Sequence, residues 1–221
     1  MGAEPLNDTD VTTPVGRRAG VLLDRDGTII VDYGYVGSVE RVELIEGAAE
    51  AIASFNRAGV PVAVVTNQAG VARGHYSIED VERVHDYLQG LLSDRGAHVD
   101  LFVYCPYHPD GVVPQFARHS DDRKPGPGMA KAAAKALGLD LASCWVVGDR
   151  PEDMAMAEAI GASAAWVGPG PCPLPGAPAF PTLGKAAPYI LERLGAASLT
   201  WCWPPGPGEV GISSGRQGSS Q

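Results

Sequence analysis

Residues 19–28 read AGVLLDRDGT. The run from Gly20 to Leu23 reads as a strand built for burial, yet it ends in two carboxylates, Asp24 and Asp26, with only Arg25 between them. Two acids at the mouth of a buried strand repel each other and resist desolvation. A fold tolerates such a pair when something offsets the charge, and the residues farther along the chain indicate what that is.

From Ala19 onward, short β-type runs alternate with helical patterns. GVLLD is a strand, GAAEAIASFNRAG a helix closed by Gly59, and VPVAVVTN a second strand, so one β-α-β unit is complete by residue 67. SIEDVERVHDYLQGLLSDRG is a long helix capped by Ser77, with Asp80 in the place of the usual capping-box Glu. VDLFVYC, CWVVGD and SAAWVG supply further strands, with helices through GMAKAAAKALG and EDMAMAEAIGA. Strands alternating with helices over short connections predict an α/β fold: a parallel sheet, covered by helices on both faces and joined by right-handed crossovers. The proline-rich PGPCPLPGAPAFP after Gly168 reads as a linker, and a last helix follows in GKAAPYILERLGAA, with Pro188 expected in its first turns. The expected division is a loose leader over 1–18, one domain over 19–197 and a disordered tail over 198–221.

With 221 residues, 45% of them apolar, the chain can build one domain with a substantial core. A net charge of −9 argues against a nucleic-acid or anionic-membrane surface, and no stretch is long and apolar enough to span a bilayer. The first residues have neither a basic start nor an apolar run, and the four cysteines show no paired spacing. These features predict a cytoplasmic monomer with reduced thiols, acting on a small molecule.

In an open parallel sheet, ligands bind outside the carboxyl ends of the strands. Asp24 and Asp26 end the first strand, Thr66 and Asn67 the second, and Asp149 the strand CWVVGD. A divalent cation there would offset the clustered carboxylates and keep them ionised, and oxygen-only ligands point to magnesium. Arg123 and Lys124 precede PGPGM, where a helix begins, so cationic side chains and helix N–H groups could face an anion together. A carboxylate nucleophile, magnesium, a hydroxyl and a lysine are the parts that phosphoryl transfer needs.

DRDGT, VVTNQAGVARG, RKPGPGM and VGDRPEDM, in that order, resemble the four motifs of the haloacid dehalogenase-like phosphohydrolases. DYGYV, TNQAGVARG and CPYHPDG narrow the resemblance to the D-glycero-D-manno-heptose 1,7-bisphosphate 7-phosphatases and the related histidinol-phosphatases, over roughly residues 19 to 168 and the helix after 184. The resemblance implies the Rossmann-like fold of that superfamily, and the short spacing between the first two motifs implies no large cap domain. It makes Asp24 the nucleophile that forms an aspartyl-phosphate and Asp26 the general acid and base. Magnesium would be held by Asp24, the Asp26 backbone carbonyl and Asp149, while Thr66 and Lys124 stabilise the phosphoryl group. Asp32, Tyr33, Gly34, Tyr35, Asn67, Gln68, Ala69, Arg123 and Arg150 match the family's substrate contacts. The implied substrate is the heptose bisphosphate, cleaved at the 7-phosphate, with histidinol phosphate or another small phosphorylated metabolite as the alternative. A binding module acting through the tail residues Trp201 and Trp203 is the non-enzyme alternative, though such a module has no need of Asp24, Asp26, Thr66, Lys124 and Asp149 together.

The resemblance fails at one place. Family members carry a structural zinc held by Cys, His and a Cys-x-Cys pair, and here Cys105 stands with Tyr107, Ser120 and Asp122. Those three do not rebuild a soft tetrahedral site, so zinc is not expected. The one substitute set the sequence offers is Cys105, His108, His119 and Asp121 or Asp122.

Overall fold

The apolar runs form a single sheet in the computed structural model, which describes residues 18–195. Its strands are β1 (Val21–Leu23), β2 (Val62–Asn67), β3 (Leu101–Cys105), β4 (Trp145–Gly148), β5 (Ser163–Val167) and β6 (Ala179–Phe180). The helices are α1 (Ala48–Arg57), α2 (Ile78–Ser93), α3 (Gly128–Leu137), α4 (Pro151–Ile160) and α5 (Leu183–Arg193). The strand order is β3-β2-β1-β4-β5-β6 and every pairing is parallel.

Period-two alternation along each strand sorts the core into two layers. Val21, Leu23, Val62, Val64 and Val147 face α1, α2 and α5, whereas Leu22, Ala63, Val65 and Val146 face α3 and α4. β1 is completely buried, because it has strands on both sides and helices on both faces. The chain leaves β1 toward β2 and β3, then returns on the opposite side as β4. The strand order therefore reverses between β1 and β4, the place where ligands bind in sheets of this kind. Between β1 and β2 lie loops, one short 3-10 turn and α1, so no cap domain is inserted there.

Two expectations are corrected. The stretch read as linker contributes an edge strand, since its proline-free pair Ala179 and Phe180 lies beside Trp166 and Val167. Edge positions accept a strand flanked by prolines because one side needs no ladder bonds. Pro188 lies in the middle of α5 and not in its first turn. That helix is held by burial of Leu183, Ala186, Ala187 and Ile190, which carries it past the missing N–H. Arg18 already belongs to the fold through a bridge to Leu139. The leader and the Trp201/Trp203 tail lie outside the described residues. No helix among those described is long and apolar enough to cross a membrane.

Helix α2 starts on a complete capping box: the Asp80 N–H donates to Ser77 Oγ at 3.2 Å and the Ser77 N–H to Asp80 Oδ2 at 2.7 Å. Its buried face includes His85, stacked on Phe102 with ring centroids 4.6 Å apart and its Nε2 without a partner. Burial, with a smaller push from the Arg25 charge, drives the imidazole pKa down to about 3. The unfolded chain takes up a proton there near pH 6.5 and the folded chain does not, so stability falls as pH drops from 7 toward 3. By pH 5 this one group removes about 2 kcal/mol. The urea midpoint of His85→Phe is therefore expected to fall less than that of the parent between pH 7 and pH 5.

Candidate active site

The acids of the opening stretch meet their counter-charge at the switch point. Lys124 is 3% exposed, and its Nζ lies 2.8 Å from Asp24 Oδ1, 2.6 Å from Asp153 Oδ1 and 2.8 Å from the Val65 carbonyl that accepts its hydrogen bond. Burial alone would push the ammonium pKa down, but the Asp153 and Asp24 carboxylates outweigh it and hold the lysine above its ordinary value. Asn67 fixes the lysine's backbone reciprocally, with the Lys124 N–H donating to Asn67 Oδ1 at 3.0 Å and Asn67 Nδ2 donating to the Lys124 carbonyl at 3.2 Å. Adjacent strands thus place nucleophile candidate and cation together: Asp24 follows β1, and Asn67 at the end of β2 holds Lys124.

Asp24, Asp149 and Asp153 each offer an oxygen within 4.8 Å of the others, the single such group of metal-ligating side chains among the described residues. Asp149 approaches over Gly27, where a Cβ would meet its Oδ2 at 2.2 Å; with φ at +81° as well, that position needs glycine. Burial, followed by the Asp24 and Asp153 charges, pushes the Asp149 carboxyl up to about 7, with Arg150 pulling against the shift. Its Oδ1 is buried without a hydrogen-bond partner. An orphaned carboxylate oxygen beside two more acids suits a hard divalent cation, which such oxygens bind well. Asp153 also caps α4, accepting the Arg150 N–H at 3.0 Å, and its carboxyl is raised by burial against the opposing effect of Lys124.

Asp26 is held quite differently from Asp24. Arg25, completely buried, turns inward and donates to both Asp26 oxygens, to the Val36 carbonyl at 2.8 Å and to Gln68 Oε1 at 3.0 Å. Burial raises the Asp26 carboxyl above its ordinary value, and Arg25 acts in the opposite direction. Two acids two residues apart therefore occupy different environments.

A cleft of about 390 Å³ opens over Asp24, Asp26, Thr66 and Lys124, and Asp32, Gly34, Tyr35, Asn67, Ala69, Arg123 and Arg150 also line it. Asp32 and Arg150 pair with each other at 2.6 Å across its rim. Two of the expected substrate contacts are not on its wall. Tyr33 is half exposed with its hydroxyl on Glu43, and Gln68 is buried beneath the floor. Arg73, Tyr76 and His108 line the cleft without having been singled out for it by the sequence reading. At the start of α3 the Gly128 N–H donates to the Asp121 carbonyl at 2.9 Å, so the chain itself takes up a group expected to face an anion.

The loop after β3 does not fit zinc. Tyr107 packs tilted against Phe116 with ring centroids 6.1 Å apart, and the Arg118 guanidinium sits 3.9 Å above the Tyr107 ring. His108 Nδ1 accepts the Asp110 N–H at 3.0 Å and its Nε2 lies 3.3 Å from Arg73 Nη2, while His119 is exposed. The substitute set of Cys105, His108, His119 and Asp121 or Asp122 is not gathered into a ligand group. An aromatic and guanidinium clasp holds the loop instead. Tyr107→Ala is expected to remove roughly 1–2 kcal/mol and lower Tm by about 2–8 °C in a thermal melt, with added zinc giving no recovery.

Known proteins resemble this chain over most of its length. Residues 122–174 match the family model described as "HAD-hyrolase-like". D-glycero-beta-D-manno-heptose-1,7-bisphosphate 7-phosphatase of Escherichia coli O6:H1 is 39% identical over 174 residues, which is 79% of this chain and 89% of that protein. A solved HAD-like phosphatase from Mesorhizobium loti superposes with a TM-score of 0.71 at 35% identity, over 82% of this chain and 86% of that one. D,D-heptose 1,7-bisphosphate phosphatase from B. bronchiseptica, solved with magnesium and phosphate, gives 0.69 at 29% identity, over 79% of this chain and 98% of that one. With the fold, the paired acids and these relatives in agreement, the chain belongs to the D-glycero-D-manno-heptose 1,7-bisphosphate 7-phosphatase family of haloacid dehalogenase-like enzymes and is a phosphoric monoester hydrolase.

Proposed function

We propose that this enzyme hydrolyses the 7-phosphate of D-glycero-D-manno-heptose 1,7-bisphosphate through an aspartyl-phosphate on Asp24, with magnesium bound at the acidic cluster. The observation that carries the chemistry is the division of labour between the two acids: Asp24 on Lys124 beside Asp149, and Asp26 on Arg25 and Gln68. The heptose substrate rests on the names of the relatives and on the charge of the cleft, where Arg73, Arg123 and Arg150 can meet a second phosphate.

Asp24, Asp149 and the Asp26 backbone carbonyl would hold the cation. When bound, it neutralises charge on the phosphoryl oxygens and on the carboxylates around them. Lys124 and the Thr66 hydroxyl bind those same oxygens and present phosphorus to Asp24 Oδ. The Asp24 oxygen forms the new bond to phosphorus while the sugar oxygen departs in line. Asp26 gives its proton to that leaving alkoxide, then takes a proton from the water that attacks the aspartyl-phosphate, which returns the Asp24 carboxylate and releases inorganic phosphate. Treatment with EDTA is expected to abolish turnover and excess magnesium to restore it, read as phosphate release.

The substrate is tested by phosphate release with magnesium from both anomers of the heptose bisphosphate, histidinol phosphate and simple sugar phosphates, with Asp24→Asn as blank. A kcat/KM for one heptose anomer well above all the others supports the reading. A preference for histidinol phosphate, or even activity across the panel, overturns the substrate and leaves the chemistry standing.

A further inference from the structure

Gln68 sits under the floor of the cleft, 1% exposed, with all its polar atoms engaged. Its Oε1 accepts from Arg25 Nη2 at 3.0 Å and from the Tyr76 hydroxyl at 2.8 Å. Its Nε2 donates to Asp26 Oδ2 at 3.0 Å and to Thr66 Oγ1 at 2.9 Å. The direction of the amide is fixed by its neighbours, because a guanidinium has only donors and must face the carbonyl oxygen. The NH2 group is then compelled to face Asp26 and Thr66.

Two consequences follow for the groups above it. Thr66 accepts from Gln68 through its oxygen, and its own proton is left for an acceptor in the cleft, which a phosphoryl oxygen provides. Asp26 Oδ2 receives Gln68 together with Arg25, whereas Oδ1 meets Arg25 Nη2 alone at 3.1 Å, so Oδ1 is the oxygen left to carry the mobile proton. Tyr76 is itself locked: a Cβ at Gly37 or Gly70 would lie 2.1 or 2.3 Å from its ring, so the ring fills the space that these two glycines leave between the two loops at the cleft. We infer that Gln68, anchored by Tyr76 and Arg25, is a positioning residue that sets hydrogen-bond polarity for both reacting partners, aiming the Thr66 proton at the phosphoryl group and the Asp26 proton at the leaving oxygen. This inference rests on the reading of Asp26 as general acid.

A loss of proton aim matters for a sugar alkoxide, which is a poor leaving group, and little for p-nitrophenolate, which leaves without help. In Gln68→Met, the single-turnover rate of leaving-group release is expected to fall on the order of 100-fold for the preferred sugar phosphate and about 10-fold or less for p-nitrophenyl phosphate, with KM shifting less than about threefold. Tyr76→Phe keeps the ring between the glycines and removes only the anchoring donor, so the same selectivity is expected at about one tenth of the size. It also serves as the test if Gln68→Met fails to fold. Equal losses on both substrates, or none, in whichever variant is folded by circular dichroism would overturn the inference. Asp26→Asn is run beside them: if it shows no dependence on leaving group, the assignment of Asp26 fails, whereas selectivity in Asp26→Asn without selectivity in Gln68→Met or Tyr76→Phe defeats only the role of Gln68.

Discussion

Asp24→Asn is expected to lower turnover by at least about 10⁴-fold, because the proposed mechanism loses the carboxylate that attacks phosphorus and no neighbour can replace it. Asp149 and Asp153 stand within 4.8 Å, but Asp153 is held by Lys124 and the Arg150 N–H, and Asp149 is the residue proposed to hold the cation. The substitution keeps the shape of the side chain and removes one of three crowded negative charges, leaving Lys124 paired with Asp153. Folding should therefore be unharmed, with Tm held or slightly raised in the absence of metal. Turnover of Asp24→Asn within tenfold of the parent would remove the covalent mechanism. Asp26→Asn, by contrast, should lose about 10²–10⁴-fold, the range of a missing proton transfer.

Lys124→Met should damage both stability and catalysis. The lysine is the one ammonium between two buried carboxylates, Asp24 and Asp153, with the half-buried Asp149 beside them, and removing one partner of a buried ion pair is worth about 3–5 kcal/mol because the other charges stay behind. A Tm fall on the order of 10 °C is expected, together with a loss of about 10²–10³-fold in kcat from missing stabilisation of the phosphoryl oxygens. The pH dependence gives the cause away. Without Lys124, Asp153 loses the influence that opposes burial, so its folded pKa rises further above the value in the unfolded chain. A carboxyl raised in this way is compatible with folding while protonated and loses stability as pH rises through its folded pKa. Lys124→Met should accordingly lose least relative to the parent near pH 5 and most near pH 8, as followed by urea denaturation at each pH. A variant as stable as the parent across that range would show that the lysine does not balance the cluster.

The location of this site was legible because its residue types are improbable where they stand. Asp24, Asp26 and Asp149 follow strands that are otherwise apolar, and in a parallel sheet every strand end points to the same edge. The helices and five of the strands were readable from apolar period in the same way. What could not be read depends on partners far apart in the chain. The inward turn of Arg25, two residues past the end of β1, is decided by Val36 and by Gln68, 43 residues away. Asp32 and Arg150, expected as independent substrate contacts, are 118 residues apart and bind each other at the rim. β6 is two residues long and draws its order from Trp166 and Val167, not from any period of its own. In the loop after β3, absent zinc ligands were visible in sequence, but the Tyr107–Arg118 clasp that stands there arises from a chain reversal no local pattern encodes.

The most direct test of the account is to follow the magnesium-supported turnover of D-glycero-D-manno-heptose 1,7-bisphosphate by phosphorus NMR, in parent and Asp24→Asn side by side. The expected result is loss of the 7-phosphate signal in the parent alone, with the anomeric phosphate intact and inorganic phosphate rising to match. Loss of the anomeric phosphate, or equal turnover in Asp24→Asn, would contradict the account.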